Sequence, residues 1–139
     1  MAASVLVGVF LTWRFTGNDF GASDGSLVAR GELARALNMQ LAANQTGDAP
    51  VAIGITFKSS EGEWCRSFLV RETATAGLAC HVDDQWRIAV TTGAKVEGGD
   101  LRQAAAAMPP VILDAIESRR ADDPLGANDE LAARDSGWK

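Results

Sequence analysis

The sequence predicts an α+β domain: an amphipathic helix, then a four-stranded antiparallel meander, then C-terminal helices. Three observations predict it. Leu33, Leu37 and Leu41 recur at helical spacing in the first third of the chain. Four short runs of alternating or continuous apolar character follow between Val51 and Val90, separated by brief polar turns. Beyond Gly98 and Gly99 the pattern turns helical again and is broken by Pro109 and Pro110. Helix, strands and helices in separate blocks favour α+β over alternating α/β.

The elements follow in order. Ala2 to Trp13 carries no charge, and Arg14 ends the run. It is too short to span a bilayer by itself, since a spanning helix needs about 20 apolar residues. Its apolar residues sit all round a helix, and no basic region precedes them as in a signal peptide. Trp13 and Arg14 suit the headgroup level. Residues 1–15 are therefore expected to be the outer end of a transmembrane helix that begins upstream. Residues 16–25 are rich in Gly, Asn, Asp and Ser, as a linker would be, with Ser23 or Asp24 as a helix cap.

Residues 26–139 are expected to form the domain. Leu27, Leu33, Leu37 and Leu41 mark an amphipathic helix of about five turns. It stops at Gly47 and Pro50. Val51, Ile53, Ile55 and Phe57 alternate with Ala52, Gly54, Thr56 and Lys58, which predicts a strand with those four on one face. Trp64 to Arg71 is the second strand and Gly77 to Val82 the third. Trp86, Ile88 and Val90 alternate along the fourth. Short connections make them antiparallel neighbours. Asp100 with Gln103 resembles a capping box before a helix over 101–107. Pro110 opens the next helix, with Ile112, Ala115 and Ile116 buried. A last short helix would carry Leu131 and Trp138 on one face.

Composition excludes some functions. The net charge is −5, and residues 114–139 hold seven acids against four bases. An acidic domain without a basic patch repels phosphate backbones, which argues against nucleic-acid partners. No G-x-S-x-G, P-loop or G-x-G-x-x-G motif occurs. His81 is the one histidine, and a Ser67–His81–Asp83 triad has no local motif behind it. Zinc at Cys65, Cys80 and His81 is disfavoured because adjacent strand residues point to opposite faces. No catalytic, cofactor-binding or metal residue is therefore expected. The tryptophans Trp64, Trp86 and Trp138 are expected in the core.

Cys65 and Cys80 are better read as a disulfide. The turn between their strands sets them roughly opposite each other, and the bond requires an oxidising compartment. Two buried free thiols are the competing reading. Cys80 shares a face with Leu78 and Val82, whereas Cys65 lies off the face of Trp64 and Phe68. Either the second strand buries both faces or a bulge shifts its register.

The strings SLVARGELARALNMQLA, VAIGITFKSSEGEWCRSF, AGLAC with a following Trp strand, QAAAAMPPVILDAIE and PLGANDELAARDSGW resemble the extracytoplasmic part of bacterial membrane-anchored anti-sigma factors. The resemblance covers nearly the whole chain and is most specific around the cysteines and the final DSGW. It implies a single-pass inner-membrane protein with residues 16–139 in the periplasm, acting as a non-enzymatic sensor. It also implies an extracytoplasmic-function sigma factor as partner, bound through a cytoplasmic region upstream of Met1. The alternative is a membrane-anchored or secreted binding protein for a small ligand or a cell-envelope component.

Overall fold

The computed structural model describes residues 19–94 and 108–139. The expected membrane-helix end at 1–15, the start of the expected linker and the expected helix over 101–107 lie outside them. No helix among the described residues is long and apolar enough to cross a membrane.

The class is α+β, but the sheet has six strands instead of the expected four. In chain order they are β1 (Phe20–Ser23), β2 (Ser26–Ala29), β3 (Val51–Lys58), β4 (Trp64–Val70), β5 (Thr75–Val82) and β6 (Gln85–Gly93). All neighbours are antiparallel, in the order β1-β2-β6-β5-β4-β3. The helices are α1 (Gly31–Met39), α2 (Pro110–Arg119) and α3 (Ala127–Asp135), with a single 3-10 turn at Ala42–Asn44.

The two additional strands correct both the linker and the first helix. Asp24 and Gly25 have φ of 49° and 77°, the left-handed pair that a two-residue hairpin turn needs. They turn β1 back onto β2, with Ser23 opposite Ser26 and Phe20 opposite Ala29. Asp24 is thus a turn residue, not a helix cap. Helix α1 then starts only at Gly31. Leu27 lies outside it and is 40% exposed.

Asp19 supplies what the helix start lacks. Its Oδ1 accepts the Leu33 N–H at 3.2 Å, and its carbonyl accepts the Arg30 N–H at 2.7 Å. One carboxylate thus satisfies an orphan donor of the first turn and favours its positive end. Arg30 reaches back over Gly21 and donates to the Ala22 carbonyl at 3.2 Å. The hairpin and α1 are clamped together through Asp19 and Arg30.

The sheet is buried on both faces. One face packs Val51, Ile53, Phe68, Val70, Ala79 and Trp86 against Leu33, Leu37 and Ala133 of α1 and α3. The other packs Ala52, Phe57, Cys65, Leu69, Leu78 and Cys80 against Ile112 and Ile116 of α2. This settles the parity of the second strand: β4 is buried on both sides from Cys65 to Val70.

Two register shifts redistribute the apolar residues. In β3 the shift lies between Ile53 and Thr56. It puts Ile53 on the α1 face and Phe57 on the α2 face, correcting the single face expected for them. Ser67 stabilises the bulge, its Oγ accepting the Ile55 N–H at 2.8 Å. Position 54 must be glycine for this, because a Cβ there would stand 2.5 Å from that Oγ. In β6 the pairs Leu78–Val90 and Ala79–Ile88 leave Ala89 without a partner. Trp86 and Ile88 therefore pack with the α1 face and Val90 with the other.

The outer edge of β3 is closed. Gln45 binds Ile53 as a strand would, donating to its carbonyl at 2.6 Å and accepting its N–H at 2.8 Å. Ala121 and Leu125 donate to the carbonyls of Lys58 and Thr56 at 3.0 and 2.8 Å. Covered edges resist strand addition from other chains.

Candidate functional site

Cys65 and Cys80 are joined by a disulfide, with an S–S distance of 2.04 Å. They stand directly opposite each other in the β4–β5 ladder. Cys65 is fully buried, and Cys80 is 6% exposed. The bond faces α2, in the cluster of Phe57, Leu78, Ile112 and Ile116.

Cys80 borders an open cleft of about 260 Å³, shared with Ser59, Glu61, Glu63, Ser118 and Arg119. The β3–β4 turn builds one wall. Ser59 holds that turn, its Oγ accepting the N–H groups of Glu61 and Glu63 at 3.3 and 3.1 Å. Ser60 donates to the Arg119 carbonyl at 2.8 Å and so ties the turn to the end of α2. Burial raises the Glu63 carboxyl above its ordinary value. A hydrogen bond with Glu61 and the charge of Glu61 add to this, while Arg119 and Arg87 oppose it.

The other residues weighed from the sequence do not converge. Ser67 points to the α2 face with Cys65, and its hydroxyl serves the β3 bulge. His81 follows Cys80 on β5 and faces the opposite side, its ring 5.1 Å from that of Trp86. The sheet therefore lies between Ser67 and His81. Asp83 pairs with Arg87 at 3.6 Å. The zinc set fails as well, because the cysteine sulfurs are bonded to each other and His81 is on the far face. Among the described residues no group of three or more His, Cys, Asp or Glu side chains gathers to hold a metal.

The α1 face holds a polar node that the sequence did not disclose. Arg66 is completely buried. Its guanidinium donates to Thr56 Oγ1 at 2.9 Å, to the Leu37 carbonyl at 2.7 Å and to the Gln40 carbonyl at 2.6 Å. It also pairs with Glu130 at 3.5 Å. A cation here satisfies the last carbonyls of α1 and meets the negative end of the helix. Glu130 in turn accepts the Ala42 N–H at 2.7 Å and the Thr56 hydroxyl at 2.9 Å. Burial lowers the Arg66 pKa to about 10, against the pull of Glu130. The guanidinium remains charged at neutral pH.

The Trp138 ring covers Arg66, with the guanidinium carbon 4.7 Å from the ring centroid. Trp138 also packs edge-on against Trp64 and Trp86, at 6.3 and 5.4 Å. The indole N–H groups of Trp86 and Trp138 both end on Asn38, at its side chain and its carbonyl. This cluster corrects the expected pairing of Leu131 with Trp138. Helix α3 ends at Asp135, and Leu131 is 38% exposed. The buried residues of α3 are Glu130 and Ala133. Gly137, at φ 75°, donates to the Arg134 carbonyl, and Trp138 donates to that of Ala133, both at 3.0 Å. That is a Schellman ending, and it swings Trp138 back over Ala133 into the core.

Glu130 had no signal in the sequence, because a glutamate in a polar helix resembles any solvated acid. Arg66 offered a faint one as the lone charge inside the apolar strand. Comparison of the chain with protein-family models, with curated proteins and with solved structures found no match.

Proposed function

We propose that the chain is the extracytoplasmic regulatory domain of a membrane-anchored anti-sigma factor, without catalytic activity of its own. Its state would control the release of an extracytoplasmic-function sigma factor held by a region upstream of Met1. The apolar run from Ala2 to Trp13 would be the end of the membrane helix, and the domain would lie in the periplasm.

The observation that carries this reading is the Cys65–Cys80 disulfide at the centre of the sheet. Bonds of this kind persist in oxidising compartments and are rare in the cytosol. The clamp at Asp19 supports the regulatory part. On this reading a change at the membrane end would reach Asp19 along the chain, and Asp19 is bonded to the start of α1. The end of α1 is held by Arg66. A rearrangement of that node can thus alter the hold on the entering chain, provided a signal favours one arrangement over the other.

The binding-protein reading has less behind it. Among the described residues, the cleft beside Cys80 and another between Ala34, Asn38 and Trp86 are each about 260 Å³ and open. Small-molecule sites run from about 300 to 1,000 Å³ and are mostly enclosed.

The test is a transcriptional reporter for the cognate sigma factor in cells carrying the full-length protein. Exchanging residues 19–139 for an unrelated stable domain should abolish signal-dependent output while leaving membrane insertion intact. A reporter that still responds to every inducing condition would show that these residues are not the sensor.

A further inference from the structure

The two sulfurs of the disulfide are not equivalent. Cys65 is fully enclosed on the α2 face with Phe57, Ile112 and Ile116 packed in the same cluster. Cys80 borders the open cleft beneath the β3–β4 turn. Arg119 lines that cleft with Glu61 and Glu63, its charge acts on the Glu63 carboxyl, and Arg87 stands opposite Cys80 in the β5–β6 ladder. Thiol–disulfide exchange depends on which sulfur an incoming thiolate can reach.

We propose that the disulfide is a thiol-exchange site entered through this cleft, where a small anionic thiol attacks Cys80 and expels Cys65. The incoming sulfur forms a bond to Cys80 Sγ as the Cys65–Cys80 bond breaks. The electron pair of that bond leaves on Cys65 Sγ, which takes up the proton released by the thiol. The product is a mixed disulfide on Cys80 and a free thiol at Cys65. A second molecule of the thiol attacks the outer sulfur of the mixed disulfide. Cys80 then leaves as a thiol, and the reagent departs as its own disulfide. Two thiols are oxidised for the one protein disulfide reduced.

The enclosure of Cys65 shapes the rate. A thiolate is costly in apolar surroundings, so Cys65 is a poor leaving group until it is protonated. Exchange is therefore slower than at an exposed disulfide, yet it proceeds in the folded protein. The chemistry holds whether or not the domain transmits a signal to a sigma factor, so its failure and the failure of that reading are separate results.

The experiment treats the oxidised protein with glutathione under native conditions. Samples are acid-quenched, alkylated in denaturant and mapped by peptide mass spectrometry. Glutathione is expected on Cys80 and the alkyl group on Cys65, in about tenfold or greater excess over the reverse pattern, as access dictates. The rate should be flat in sub-denaturing urea. Arg119→Ala should slow glutathione, whose attacking thiolate form carries two net negative charges, about threefold more than it slows 2-mercaptoethanol, whose thiolate carries one. Equal labelling of the two cysteines overturns the proposal. So does a rate that climbs with urea in step with unfolding, which would mean that only the unfolded chain reacts. An equal effect of Arg119→Ala on both thiols would remove this cleft as the route.

Discussion

Arg66 and Glu130 illustrate how much depends on a few atoms on the α1 face. The pair joins β4 to α3, and its further bonds reach the end of α1, the 3-10 turn and Thr56 of β3. Attraction between two desolvated ions does not by itself stabilise a fold, because leaving water is costly. Removing one partner is severe, since the other charge stays buried. Glu130→Ala should cost about 3–5 kcal/mol, read from the urea midpoint of unfolding. A loss under 1 kcal/mol would show that water or a rearranged Thr56 replaces the carboxylate. His81 sets the pH response on the same face. Burial lowers its pKa from the ordinary value, while Asp84 and the Trp138 backbone act the other way. The folded state therefore binds its proton less readily than the unfolded chain does. Stability is full above about pH 6.5, the unfolded value, and falls as pH drops from there toward the folded value. Glu63, raised in the fold, has the opposite sign: it loses stability as pH rises. Subtracting the thermal-midpoint profile of His81→Gln from that of the parent isolates the histidine. The difference should decline with falling pH, and a flat difference would contradict it.

At the scale of elements, legibility followed the range of the interactions. Strands β3 to β6 could be read because each carries alternating or continuous apolar character over several residues between polar turns. The pairing of Cys65 with Cys80 followed from the short β4–β5 connection. The hairpin β1–β2 was missed although Asp24-Gly25 is a strong hairpin signal. Its strands are only four residues long, and Leu27 happens to extend the leucine spacing of α1. The bulge in β3 was invisible because it depends on Ser67, which reaches Ile55 from the neighbouring strand. Alternation counts residues along one chain and does not register an inserted one. The docking of Trp138 was misread for a related reason. A helical count carried through Gly137 keeps Trp138 in line with Leu131, whereas the left-handed glycine ends the helix and redirects the chain. Gln45 and Asp19 belong to the same class. Each is a polar loop residue whose role is fixed by a backbone group far along the sequence, and nothing in its own surroundings marks it.

For the whole molecule the question is what the disulfide adds to a sheet that already pairs its two strands. In the folded state Cys65 and Cys80 would remain opposite each other without the bond, since the β4–β5 ladder runs from Cys65–Cys80 to Val70–Thr75. The bond acts mainly on the unfolded chain, where it closes a loop with a sequence separation of 15. The chain-entropy model assigns such a loop about 3 kcal/mol. Domains of this size are stable by about 5–15 kcal/mol. Losing the bond should therefore leave most molecules folded while raising the unfolded fraction by about a hundredfold, since each 1.4 kcal/mol is a factor of ten. The double variant Cys65→Ala/Cys80→Ala tests this without a reductant. It should keep the far-UV circular dichroism of the parent and unfold at a lower urea concentration, with a slope equal to or somewhat steeper than the parent's because the unfolded chain is no longer cross-linked. Alanine leaves no polar group among Phe57, Leu78 and Ile112, so the lost sulfur packing adds only modestly to the shift. A variant with no native signal would mean that the bond, and not the two-faced core, holds the sheet together. An unshifted midpoint would mean that the unfolded chain is already compact enough to keep the two cysteines close.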